Sequence, residues 1–137
     1  VSFLQEVGAD ISKTIMSHVE RTIFQWENLK ALAETGCYIE YDLFGQESSY
    51  YPLVPQSYMP NDAQRIDQIQ KLIVEGFGNQ VLLSHDVFCK HRLVRYGGHG
   101  YDHILRNIVP RMRMRGFTEE QINTMLVENP KRVLTFK

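Results

Sequence analysis

The sequence predicts an α/β fold of βα units around a parallel sheet, and three observations carry that expectation. First, three short apolar runs each end in polar residues: Lys13-Thr14-Ile15-Met16-Ser17-His18, Cys37-Tyr38-Ile39-Glu40-Tyr41-Asp42 and Val81-Leu82-Leu83-Ser84-His85-Asp86. Runs of this kind suit strands buried on both faces, as in parallel sheets, whose chemistry sits at the C-terminal ends. Second, the runs alternate with stretches of helical periodicity, the pattern of right-handed βα crossovers. Third, a long loop follows the second run and another follows the third, where such folds keep functional groups. Three strands cannot close a barrel and make a poor doubly wound sheet. The chain reads either as a small α/β domain or as the last part of an eight-stranded barrel.

Taken in order, residues 2–10 read as the end of a helix stopped at Gly8. Residues 11–18 form the first strand. Residues 21–34 carry a helical stripe of Ile23, Phe24, Trp26, Leu29, Leu32 and Ala33, closed by Thr35-Gly36, with Trp26 as a core or interhelix residue. Residues 37–43 form the second strand, and residues 44–60 form a loop rich in proline and aromatics that reads as a substrate lid. Asn61 or Asp62 caps the next helix, whose stripe is Ile66, Ile69, Leu72 and Ile73 and which ends at Glu75-Gly76. Residues 80–86 are the third strand and residues 87–100 the second long loop. Residues 101–115 are helical, with Ile104, Leu105, Ile108, Val109 and Met112 inward, a kink at Pro110 and a stop at Gly116. Thr118-Glu119-Glu120-Gln121 has capping-box spacing for a last helix through Val127. Asn129-Pro130 opens a closing turn, and residues 131–137 form a short helix or tail.

Composition narrows the function. The 137 residues suffice for one globular domain with a core, and a net charge of -1 leaves no basic footprint for nucleic acid and no polybasic patch for a membrane. The Arg111-Met112-Arg113-Met114-Arg115 run reads as a solvated last helical turn. Two cysteines, Cys37 and Cys89, are too few for a disulfide framework, so a reduced, cytoplasmic setting is expected. No apolar run approaches the length of a spanning helix. A start at Val1 that enters an element almost at once reads as a fragment or a processed product.

Three polar residues close the strands. His18 reads either as a hydrogen-bonded core or loop histidine or as a metal ligand. Asp86, a carboxylate directly after a buried strand, needs a cation or donors nearby, and at the C-terminal face of a barrel such a position is catalytic. Its best role is metal ligand and general base. His85 alternates to the other side of the strand and reads as structural or as a partner of a ligand. Glu40 and Asp42 share a side, so one of them can reach the site. His91, His99 and His103 lack a tight ligand spacing. Phosphate loops, nucleophile elbows and Cys-Xaa2-Cys motifs are missing from the sequence.

Ser17-His18, Tyr38-Ile39-Glu40-Tyr41-Asp42, Val81-Leu82-Leu83-Ser84-His85-Asp86, Tyr96-Gly97-Gly98-His99-Gly100-Tyr101-Asp102-His103-Ile104 and Glu128-Asn129-Pro130-Lys131-Arg132, in this order, resemble the C-terminal part of the phosphotriesterase family. That family lies within the amidohydrolase superfamily of metal-dependent TIM (β/α)8 barrels, and its animal branch is the nearest likeness. The resemblance implies that residues 1–137 are the C-terminal portion of one barrel domain, strands six to eight with their helices, the N-terminal strands being absent. It implies a divalent metal, two zinc ions per complete barrel, with His18 on the more exposed ion. Asp86 would bind the more buried one and take a proton from the bridging hydroxide. The other ligands would precede Val1.

Leu43 and Arg21 stand where bacterial members carry a histidine and an acidic residue that relay protons, which argues against organophosphate chemistry. Arg21 is then either a surface residue at a helix start or a clamp for an anionic substrate group. The implied activity is hydrolysis of an amide or ester by a metal-activated water, with N-acetyltaurine or related N-acyl amino acids as substrates. Arg21, Tyr96 and Gly98 would shape the small-molecule pocket, and a homodimer is admitted. The rivals are a catalytically incompetent truncated α/β module and a phosphotriesterase-like lactonase.

Overall fold

The computed structural model describes residues 1–135. Three strands, β1 (Ile15–Met16), β2 (Tyr38–Tyr41) and β5 (Val81–Leu83), form a parallel sheet in the order β1-β2-β5. The fold class is α/β. Period-two alternation sorts the sheet: Ile39, Tyr41 and Val81 enter the core against the helices, whereas Glu40 and Leu82, paired in register, point to the opposite face. The helical layer supplies Leu29, Leu32 and Ala33 from α3 (Trp26–Glu34), Ile66, Ile69 and Leu72 from α4 (Asp62–Val74), and Met112 from α5 (Val109–Met114). Ile108 and Met125 complete the contact, the second alongside Ile122 of α6 (Glu119–Asn123).

Local chemistry sets most boundaries. Asn61 and Gln64 form a reciprocal capping box at the start of α4, and Thr118 and Gln121 form another at the start of α6. The first helix, α1 (Ser2–Glu6), is followed by Gly8 at φ +80°, and Gly116 beyond α5 stands at φ +85°, a region open to glycine without steric cost. The first strand is shorter than the sequence predicts. Asp10 accepts hydrogen bonds from the Ser12 N–H at 3.0 Å and its hydroxyl at 2.6 Å, winding Ile11–Lys13 into a 3-10 turn before β1 begins.

The helix expected over residues 21–34 is broken into α2 (Val19–Thr22) and α3, with Ile23 extended at φ -123°. Thr22 turns its hydroxyl onto the His18 carbonyl at 2.8 Å, and two consecutive β-branched residues make this a weak point for helix. The loop over residues 44–60 is not structureless: β3 (Tyr50–Tyr51) and β4 (Val54–Tyr58) pair antiparallel about Pro52-Leu53, with a register shift at Tyr50/Tyr51. The third strand is confined to Val81–Leu83 by a 3-10 turn at Gly78–Gln80 and by the departure of the chain after Leu83.

Both prolines of the C-terminal helices follow a π-helical turn. Pro110 comes after Ile104–Ile108, where the sequence predicts a bend; instead of a closing turn, Pro130 comes after a second π turn, Thr124–Glu128, that runs into α7 (Asn129–Leu134). A proline lacks the N–H and collides with the carbonyl four residues back, and wider π turns relieve both. The altered phase also turns Leu105 outward, 66% exposed where an inward residue was expected. Residues 136–137 of the expected tail lie outside the described residues. No described helix is long and apolar enough to cross a membrane.

Candidate active site

The parallel register brings the C-terminal ends of the three strands to one edge, and beyond two of them stands a residue with an unusual backbone. His18 stands at φ 57° and Asp86 at φ 47°; among the described residues they are the only non-glycine positions with left-handed φ. Such a conformation costs about 1–2 kcal/mol for an L-residue and persists where the surroundings enforce it. Both are residues that the sequence marks as metal ligands.

Asp42, 5% exposed, binds His18 twice over. Its carboxylate accepts the His18 backbone N–H at 3.2 Å and the ring Nδ1–H at 2.9 Å. With the proton drawn to Nδ1, Nε2 keeps its lone pair and points away from Asp42, as in histidines prepared to bind a metal through an oriented imidazole. Glu40 shares this face. Burial first, then the charge of Asp42, raises its carboxyl above the ordinary value; His18 opposes them and Asp86 adds to them. Asp42 and Asp86 thus both lie within electrostatic reach of Glu40, and a cation on this face relieves that repulsion.

A divalent ion fits these residues. One imidazole is offered through a free Nε2, and the Asp86 carboxylate accepts no hydrogen bond among the described residues. Imidazole plus carboxylate in a negative field suits zinc and its neighbours. Among the described residues no group of three or more His, Cys, Asp or Glu side chains is placed to hold a metal unaided.

The expected substrate-shaping residues divide. Arg21, half-buried in α2, sets its guanidinium carbon 5.0 Å from the centroid of the Tyr51 ring, so the β3–β4 hairpin reaches the helical turn that follows His18. Tyr96 is 50% exposed and faces Lys90 and Arg95 of its own loop, at 5.4 and 5.9 Å. Gly98 packs on the Arg92 backbone so closely that a Cβ would stand 2.2 Å from the Arg92 carbonyl, and it lines a cavity of about 220 Å³ with His85, His91 and His99. Neither His18 nor Asp86 lines that cavity. His85 turns to the helical layer, where its Nε2 accepts the Ile104 N–H at 3.0 Å, as a structural histidine should; burial lowers its pKa.

Beneath the strand ends lies a buried charge cluster absent from the sequence reading. Arg65, with a fully buried side chain, contacts Asp62 at 2.8 Å and Glu20 at 3.6 Å and donates to the Gln46 carbonyl at 3.1 Å. His103 meets the second Asp62 oxygen at 2.7 Å, while Asn107 holds its other ring nitrogen at 2.9 Å. Asp62 accepts the Gly45 N–H and Glu20 the Leu43 N–H, so the cluster grips the turn that follows Asp42. Burial pushes Glu20 up to about 7. Burial would raise Asp62 as well, but His103, the Gly45 N–H and Arg65 outweigh it and hold that carboxyl below its ordinary value. The available signal was a phase argument: Asp62 and Arg65 lie on the apolar stripe of α4 with Ile69 and Leu72, where charged residues are rarely found unpaired.

Comparison with known proteins places this arrangement. The model of the phosphotriesterase family matches residues 1–134. The N-acetyltaurine hydrolase of Mus musculus is 54% identical over all of this chain and 39% of its own length, so the chain spans about two fifths of such relatives. Among solved structures, a resiniferatoxin-binding protein from Rhodobacter sphaeroides superposes with a TM-score of 0.89 at 32% identity, over 96% of this chain and 36% of that one. The phosphotriesterase homology protein from Escherichia coli, solved with phosphate in its active site, gives 0.85 at 30% identity over 98% and 42%. With the family pattern running from the first residue to the end of α7, the chain belongs to the phosphotriesterase family.

Proposed function

We propose that this chain supplies strands six to eight and part of the C-terminal face of a metal-dependent (β/α)8 hydrolase barrel, the other strands lying earlier in a longer polypeptide. The reaction is hydrolysis of an amide by an activated water, in a cytoplasmic setting, with N-acetyltaurine or a related N-acyl amino acid as substrate. The observation that carries this reading is the pair of left-handed residues beyond the ends of the two outer strands of the sheet, His18 and Asp86, with Asp42 holding the imidazole so that Nε2 faces away from it. A relative 54% identical over the whole chain, the N-acetyltaurine hydrolase of Mus musculus, supports the substrate class.

Two bound zinc ions would supply Lewis acidity toward the scissile carbonyl and a water acidic enough to react near neutral pH. His18 would hold one ion through Nε2, with Asp42 fixing the ring. Asp86 would hold the other, and its carboxylate is the acceptor for the proton of the attacking water. The hydroxyl joins the acyl carbon, the C–N bond breaks, and the proton passes to the departing amine, giving acetate and taurine. Arg21, steadied by the Tyr51 ring, pairs with the sulfonate at the far end of the substrate.

The test is taurine release from N-acetyltaurine by the zinc-loaded full-length protein and its Arg21→Ala variant. We expect the variant to keep its metal and lose cleavage mainly through KM. Unchanged kinetics would remove Arg21 from the pocket, and no taurine release by the parent would sink the substrate assignment.

A further inference from the structure

The Asp86 carboxylate accepts no hydrogen bond among the described residues, so its direction follows from the backbone that carries it, and that backbone stands at φ 47°. One side chain from outside the loop holds it there. Gln46, 4% exposed, extends its amide across the end of the sheet and donates from Nε2 to the carbonyls of His85 at 3.3 Å and Asp86 at 3.4 Å. Those carbonyls flank the bond whose rotation would return Asp86 to an ordinary conformation.

Gln46 is itself immobilised. Its N–H donates to the Leu43 carbonyl at 2.9 Å, and its carbonyl accepts from buried Arg65 at 3.1 Å. Leu43 and Gly45 are tied down in turn, their N–H groups donating to the carboxylates of Glu20 and Asp62. The same short segment carries Asp42, which orients His18. One turn, residues 42–46, thus reaches both proposed ligands, His18 from its first residue and Asp86 from its last.

We propose that Gln46 is a positioning residue for metal binding: its amide sets the left-handed backbone of Asp86 and so the aim of the Asp86 carboxylate at the metal. This rests on the reading of Asp86 as a ligand. Such outer partners, when removed, commonly cost about 10–100-fold in metal affinity. Residues 42–46 act as one frame for both ligands, so loss of the amide disturbs the geometry at Asp86 while the Asp42–His18 pair persists.

The experiment uses the full-length protein and compares Gln46→Met, which keeps length and removes the donor, with Gln46→Asn, which keeps an amide one methylene too short. Asn129→Ala, which deletes a buried amide clamp at the other end of the same strand, is the control for a merely structural role. Zinc affinity is read by competition with a chromophoric chelator, and ligand geometry by the visible spectrum of the cobalt-substituted protein. We expect both Gln46 variants to bind zinc at least about 10-fold more weakly, with a changed cobalt spectrum and a fall in kcat rather than a rise in KM. Asn129→Ala should melt earlier with parental zinc affinity and spectrum. If Gln46→Met does not fold, Gln46→Asn decides alone. Parental zinc affinity and spectrum in the folded Gln46 variants, or the same losses in Asn129→Ala, would overturn the proposal while leaving the hydrolase reading intact. A parent that binds no zinc would overturn both.

Discussion

Each end of β5 is held by a buried amide from a distant part of the chain, and the two clamps differ in what they hold. At the N-terminal end Asn129, fully buried at the start of α7, donates to the carbonyls of Gly78 at 2.9 Å and Val81 at 2.7 Å, with Val81 at an unstrained φ of -83°. At the C-terminal end the Gln46 bonds are longer, 3.3 and 3.4 Å, and the backbone they grip is left-handed. Strong bonds on a relaxed backbone add stability. Weaker bonds on a strained backbone, reinforced from beneath by a buried ion cluster, hold a conformation the chain would otherwise leave. The contrast matches the division in barrels between a stabilising N-terminal face and a working C-terminal face.

Breaking the cluster under the C-terminal end should have the largest effect. Arg65→Met leaves Asp62 and Glu20 buried without their shared cation, and a loss of about 3–5 kcal/mol is expected from chemical denaturation of the full-length protein. A loss under about 1 kcal/mol would show that the cluster is not what holds the turn.

The same end should carry a pH signature. Glu20 is raised from 4.5 to about 7 by burial, so the folded state keeps a proton that the unfolded chain gives up. Its contribution is fully present below about 4.5 and is lost as pH rises through about 7, a fall of about 3 kcal/mol. Urea midpoints at pH 5 and pH 8 should therefore differ more in the parent than in Glu20→Gln, where this contribution is absent. Asp62, held below its ordinary value, has the opposite sign: its contribution is present above that value and disappears only as strong acid protonates it.

At the N-terminal end, Asn129→Ala should cost about 2 kcal/mol, from two buried carbonyls left without this donor, with kcat unchanged. A fall in kcat would blur the division between the two ends. The smallest effect should be a gain. Asp86→Gly removes the Cβ from a left-handed residue and should stabilise the metal-free protein by about 1 kcal/mol while abolishing hydrolysis. A melting temperature that fails to rise would mean that the Asp86 backbone is not strained.

Much of the frame was legible in the residues. The three apolar runs, the cap at Asn61 or Asp62, the capping box at Thr118 and the glycine stops come from local rules: alternation, side-chain capping and left-handed tolerance. The resemblance in residues 17–18, 38–42 and 81–86 pointed to His18 and Asp86. The misses share a different origin. That Pro110 and Pro130 each follow a π turn depends on what packs around them. The split after Thr22 arose where the His18 carbonyl competes for a hydroxyl. Of Glu40 and Asp42, which share a face, only register and burial show that Asp42 takes the imidazole. Tyr96 and Gly98, adjacent in the motif to the proposed site, have partners within their own loop.

By itself, then, the sequence determined the alternation of strands and helices and the parallel α/β class, which rest on spacing along the chain, while the resemblance in its motifs pointed to the family and the two ligand candidates. The tertiary structure alone decided that Asp42 orients His18, that Gln46 reaches Asp86 across a sequence gap of 40 residues, and that Arg65, Asp62, Glu20 and His103 meet beneath them. Those contacts are long-range and polar. A polar side chain carries no periodic signal for its partner, and only folding brings the two together where water is excluded and the bond must form.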